Sequence, residues 1–110
     1  MIIMARALSV ACALAAFNAQ ASADDTGFAA SHDLRKERGR LCMSEHAHSA
    51  TGEGNSKDSA RSAAIKEWYA YTAGEYGSDW GSWGKSASQK ISYAKAESGW
   101  SATIESRPCK

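Results

Sequence analysis

Glu45, His46 and His48 are the densest group of metal-ligating side chains in this sequence. Imidazole and carboxylate donors suit zinc, copper and nickel. Residues 46 and 48 share one face of a strand, because strand side chains alternate with period two, so two imidazoles at this spacing can share a divalent ion. Two ligands are half of a closed site, and His32 and Glu53 are the evident recruits. Histidines on the solvent face of a strand also need no metal to explain them. A second group is aromatic: Tyr76, Trp80 and Trp83, with Trp100 beyond, lie in or near the Gly- and Ser-rich stretch GSDWGSWGKSAS. Flat rings on such a segment stack on glycan or grip a protein partner, and they serve equally to fill a small core. Covalent chemistry finds little support. There is no G-x-S-x-G motif, the serines lie scattered among turns, and Glu45 with Glu53 or Asp58 with Glu75 reads as ordinary surface charge. No catalytic residue and no cofactor is assigned.

The first 23 residues read as a secretory signal peptide. Arg6 is the charge of a short n-region, Ala7 to Phe17 is an apolar run of h-region length, and Ala21-Ser22-Ala23 suits a signal peptidase, with cleavage after Ala23. The run is too short to span a bilayer, which takes roughly 20 apolar residues, and Ser9-Val10-Ala11 before Cys12 lacks the leucine usual in a lipoprotein leader. The expected location is therefore outside the cytoplasm, periplasmic or secreted. In that setting Cys42 and Cys109 are most simply a disulfide. Closing a loop of roughly 68 residues contributes about 4 kcal/mol in the chain-entropy treatment. Cleavage removes only Arg6 from the 13 basic groups, leaving 12 against 12 acidic ones. A neutral domain has no general electrostatic reason to seek nucleic acid or an anionic membrane, so envelope protein or glycan is the expected partner class.

The elements that position these groups follow from pattern. Residues 24–40 are polar, with Phe28 and Leu34 as the large apolar groups, and read as a flexible tail outside the core. Within it Arg35, Lys36, Arg38 and Arg40 are either a solvated linker or a docking patch for an acidic partner or a membrane. The domain proper is 41–110. Leu41 to about Gly52 alternates as a strand, and Asn55-Ser56 caps a helix over 57–76. Its stripe Ala60, Ala64, Ile65, Trp68, Tyr71, Thr72 and Tyr76 faces inward, with Gly77 ending it. Gln89 to Ala96 and Trp100 to Arg107 alternate again around Glu97-Ser98-Gly99, which is a hairpin. A right-handed crossover then places the third strand between the other two, antiparallel to both. The fold class is α+β: a β-α-β-β arrangement with a three-stranded sheet in the order 2-3-1, one helix on one face and one disulfide. The opposite face is left for the tail, the tryptophan loop or a second copy to cover.

The run Gly52-Glu53-Gly54-Asn55-Ser56-Lys57, continuing through Ser59-Ala60-Arg61 and Ala63-Ala64, resembles two families. Over about 15 residues it is similar to the strand-to-helix junction of double-stranded RNA-binding domains. There the likeness ends, because in those domains the helix closes the domain after a three-stranded sheet, and Asp58 stands here in place of a second lysine and repels phosphate. Over residues 41–110 the pattern resembles small exported bacterial envelope domains of unknown function, in which a strand and G-x-G-x-(S/T)-(K/R) lead into an A-x-x-x-A helix with a tryptophan and a cysteine-terminated hairpin. That resemblance agrees with the leader and with Pro108-Cys109, and it implies no known activity. The sequence thus supports an exported binding or interaction module. Divalent metal binding through the His46/His48 face is the alternative, and hydrolysis a distant one.

Overall fold

The computed structural model describes residues 23–110. Of the expected leader, all but Ala23 lies outside the described residues, and no helix among those described is long and apolar enough to cross a membrane.

The β-α-β-β frame is present as expected. Strand β3 (His48–Gly54) leads into α1 (Lys57–Tyr76), and β4 (Ala87–Ala96) and β5 (Gly99–Arg107) form the hairpin. The sheet order is β3-β5-β4 with both pairings antiparallel, which puts the last strand in the middle. The helix starts where its cap places it. The Ser56 hydroxyl accepts from the Ser59 amide at 3.1 Å while the Ser59 hydroxyl accepts from the Ser56 amide at 3.0 Å, a reciprocal capping box.

The helix lies almost on the backbone of β3. A Cβ built on Gly52 would come 2.2 Å from the amide nitrogen of Ala64 and 2.6 Å from the carbonyl oxygen of Ala60. Gly52 therefore serves close approach rather than a turn. Beyond Ala60 and Ala64 the gap widens and Trp68 fills it, its indole Nε1 donating to the His48 carbonyl at 2.9 Å. The buried residues Ala60, Ala64, Trp68, Thr72 and Tyr76 step by four along one ridge. Tyr71, expected inside, is exposed, because the contact with the sheet is only one ridge wide and residue 71 lies on its flank, 100° round the helix from Thr72. The helix covers β3 and β5. The outer face of the sheet carries Ser49, Thr51, Ser92 and Thr103, with Thr51 and Thr103 hydrogen-bonded across the strands at 3.1 Å, so this polar face needs no cover from tail, loop or second copy.

Two expectations are corrected at the N-terminal side. Residues 24–40 are not a tail apart from the core: Phe28–Ser31 forms a 3-10 turn that buries Ala29, and β1 (Leu34–Glu37) pairs antiparallel with β2 (Arg40–Met43). Arg38 and Gly39 take positive φ at the turn, +51° and +76°, as a tight two-residue hairpin requires. The single strand expected over 41–52 is accordingly two, broken at Ser44–Ala47. This region has its own core of Ala29, Met43, Tyr76 and Trp80, flanked by Leu34 and Leu41. The other core, of Ala50, Trp68, Trp83, Ala102 and Ile104 with the helical alanines, lies between helix and sheet.

The C-terminus joins the two halves. Cys42 and Cys109 form the expected disulfide, their Cα atoms 4.0 Å apart. Around it Leu41 and Lys110 exchange amide–carbonyl bonds at 3.2 and 2.8 Å, and the Met43 amide donates to the Pro108 carbonyl at 3.0 Å. Arg107, buried to 9% exposure, grips the Glu37 carboxylate with two nitrogens and donates to the Met43 carbonyl at 2.6 Å. This guanidinium, with Arg35 beside it, holds the Glu37 carboxyl at about 2.

Gly52→Ala should cost at least about 3 kcal/mol, because the new methyl meets backbone that cannot step aside. Gly74→Ala, at an exposed helical site with open space around it, should stabilise by about 0.5–1 kcal/mol; chemical denaturation of both variants measures the contrast. Because Glu37 is more acidic folded than its ordinary 4.5, the unfolded chain takes up its proton first. The stability from the Glu37–Arg107 pair is present above that value and drains away as pH falls towards about 2. Acid titration of stability should show a flatter profile over this interval in Glu37→Gln than in the parent.

Candidate metal centre

All three histidines of the chain meet at one place, around the C-terminal half of α1. His48 is the first residue of β3 and its side chain points inward, in phase with Ala50 and Gly52. His46 lies in the bend that separates β2 from β3, and His32 ends the 3-10 turn at Phe28–Ser31. The imidazole centroids of His32 and His46 are 4.8 Å apart and those of His46 and His48 are 5.0 Å apart. The expectation that residues 46 and 48 share one strand face is corrected: His46 precedes the strand, and the backbone bend at residues 44–47 brings the two rings together instead.

The helix supplies the rest. Thr72, fully buried, is hydrogen-bonded through Oγ1 to Nδ1 of His48 at 2.9 Å. Glu75, one turn further, places Oε2 3.2 Å from Nε2 of the same ring. Tyr76 lies under the cluster: its ring stacks on His48 at 5.2 Å and 21°, and its hydroxyl is bonded to Nε2 of His32 at 3.2 Å. Burial drives the proton affinity of His48 below its ordinary 6.5, opposed by the Glu75 carboxylate and reinforced by His46 and His32. Burial likewise pushes the Tyr76 hydroxyl upward, so it stays protonated. The ligand atoms of His46, His48 and Glu75 all lie within 4.8 Å of one another.

The outcome for the sequence-derived candidates is mixed. His32, named as a recruit, joins the ring cluster. Glu53, the other recruit, is exposed on the far face of the sheet opposite Ser101. Glu75 and Thr72 are not marked by the sequence as partners of the histidines. Their signal was present only as helical spacing, three residues apart with Tyr76 adjoining, and it gained meaning once the helix terminus was known to face the start of β3. The aromatic group is corrected: Tyr76, Trp80 and Trp83 are 0%, 2% and 7% exposed, which leaves no ring face for glycan to stack on. Trp80 donates from Nε1 to Asp25 at 3.2 Å, and Trp83 meets Trp68 edge-on at 5.4 Å. These rings hold the two cores.

No family model matches this sequence, and neither the curated proteins nor the solved structures contain a match to it.

Trp80→Ala and Trp83→Ala should each lose about 3–5 kcal/mol, the usual cost of emptying a buried aromatic site. Urea denaturation followed by far-UV circular dichroism measures this, and a loss below about 1 kcal/mol would place the rings outside the cores.

Proposed function

We propose that this protein is a small exported binding protein whose ligand is a divalent transition-metal ion, held by His46, His48 and Glu75. The observation that carries the reading is the setting of His48. Its Nδ1 is engaged by a buried hydroxyl, which orients the ring and leaves Nε2 facing a carboxylate oxygen at 3.2 Å. Orientation of a ligating imidazole through its other nitrogen is the recurrent second layer of metal sites. The separation also suits the chemistry: ligands bound at ~2.0–2.1 Å in a tetrahedron lie roughly 3.3 Å from each other. His46 is exposed and closes the remaining distance by side-chain rotation. Three protein ligands of N, N, O type leave one coordination position open and favour zinc or copper over magnesium or calcium.

Export is part of the same proposal. It is supported by the leader-like residues 1–23, by a disulfide of the kind that persists in oxidising compartments, and by the resemblance of residues 41–110 to exported envelope domains. Outside the cytoplasm a three-ligand site is open to exchangeable metal. The burial that lowers the proton affinity of His48 keeps that ligand neutral at physiological pH without the help of the ion.

Thermal melting of the disulfide-bonded protein with zinc, copper or magnesium tests the reading. Zinc or copper should raise the melting temperature, by the equivalent of about 2.7 kcal/mol at a hundredfold excess over Kd, and magnesium should not. EDTA should reverse the rise, His46→Ala with His48→Ala should abolish it, and Glu75→Gln should weaken it. If zinc and copper leave the melting temperature unchanged, or act equally on the double variant, the cluster is a polar strut between bend and helix and the metal assignment is wrong.

A further inference from the structure

A second concave site lies away from the histidines and does not depend on the metal reading. A cleft of about 720 Å³ opens between the β1–β2 turn and the segment Gly84–Gln89, within the ~300–1,000 Å³ of small-molecule sites. Four cations line it: Arg38 and Arg40 from the turn, Lys85 from the facing loop, and Arg107. Arg107 is neutralised by Glu37, the acidic residue of the lining. Arg38, Arg40 and Lys85 are exposed and take part in no ion pair among the described residues. Three uncompensated positive charges thus face one hollow in a chain that is otherwise nearly balanced, and like charges held together in this way favour an anion between them.

The cleft is also built, beyond being charged. Arg40 reaches across it and donates from Nη1 to the Lys85 carbonyl at 3.1 Å, which holds its guanidinium in place. On the other wall a bulge interrupts the β4–β5 ladder between Ala87 and Lys90, and within it Ser88 adopts φ +55°. Such a conformation in a residue with a side chain is strained, and it persists only where its surroundings impose it. Here the bulge carries it, and Arg107 holds the side chain, donating to the Ser88 hydroxyl oxygen from Nε at 3.3 Å and from Nη2 at 3.1 Å. With its oxygen accepting twice, Ser88 has its own proton left to give, and no acceptor for it lies among the described residues.

We infer that this cleft binds a small molecule through a compact oxyanion of the phosphate type, paired by Arg38, Arg40 and Lys85 and hydrogen-bonded by Ser88. Guanidinium groups match such oxygens in geometry as well as charge. Free phosphate and a phosphate ester present the same group to the cleft.

The test is a nitrogen-15 NMR titration of the disulfide-bonded protein with inorganic phosphate and with glycerol 3-phosphate, at constant ionic strength set by sodium chloride. Saturable shifts are expected at residues 38–40 and 85–89 and not at His48 or Thr72. Arg38→Gln with Arg40→Gln should weaken binding at least about tenfold, the loss of a charge-assisted pair, and so should Lys85→Gln, which leaves the Arg40 contact to the backbone intact. Tighter binding of glycerol 3-phosphate assigns an ester ligand, and equal binding assigns the free ion. Shifts reproduced by chloride alone, or unchanged in folded Lys85→Gln, overturn the proposal. Because none of these variants touches the histidine cluster, failure here leaves the metal reading as it stands.

Discussion

The junction of Cys42 with Cys109 is the constraint on which the rest of this molecule depends. Strand β2 is only four residues long, and a two-stranded hairpin of that size does not hold together alone in water. It persists because both its edges are occupied: β1 pairs along one, and the backbone of residues 108–110 pairs along the other, with the sulfur bridge between them. The Arg107–Glu37 pair repeats the connection through side chains a few residues away. Since Arg107 ends β5, the central strand of the larger sheet, the hairpin is fastened to the most secure element available.

That attachment decides which side chains meet. The hairpin side brings His32 and His46, the sheet brings His48, and the helix brings Thr72, Glu75 and Tyr76. None of these elements holds the cluster by itself. The depth of the helix matters as well, because Gly52 lets Ala60 and Ala64 sit against the backbone of β3. A helix held further out would carry Thr72 beyond reach of His48. The same hairpin presents Arg38 and Arg40 to the bulge of β4, so one attachment supports both the histidine cluster and the cationic cleft.

Packing also explains which aromatic rings are unavailable. A domain with two small cores has few large apolar residues to fill them, and Trp68, Trp80, Trp83 and Tyr76 are used for that purpose. The rings that stay exposed are others, Phe28, Tyr69 and Tyr71 among them.

What the sequence by itself determined are the features that rest on local periodicity. The Ser56 cap, the ridge from Ala60 to Tyr76, the β4–β5 hairpin and, through the right-handed crossover, the central place of the last strand all follow from patterns of a few residues. The cysteine pairing follows from count and compartment, since Cys42 and Cys109 are the two cysteines that remain beyond the leader-like residues. What only the tertiary structure decided are the arrangements that rest on contacts between distant segments. Residues 24–40 look polar when counted alone, and their ordering comes from one buried alanine, a two-residue turn and a partner strand that has the chain's end on its other side. Glu75 and His48 are 27 positions apart, and no spacing rule relates them. Their meeting depends on how deeply the helix seats on the sheet and on where the chain bends at residues 44–47, which are properties of packing in three dimensions.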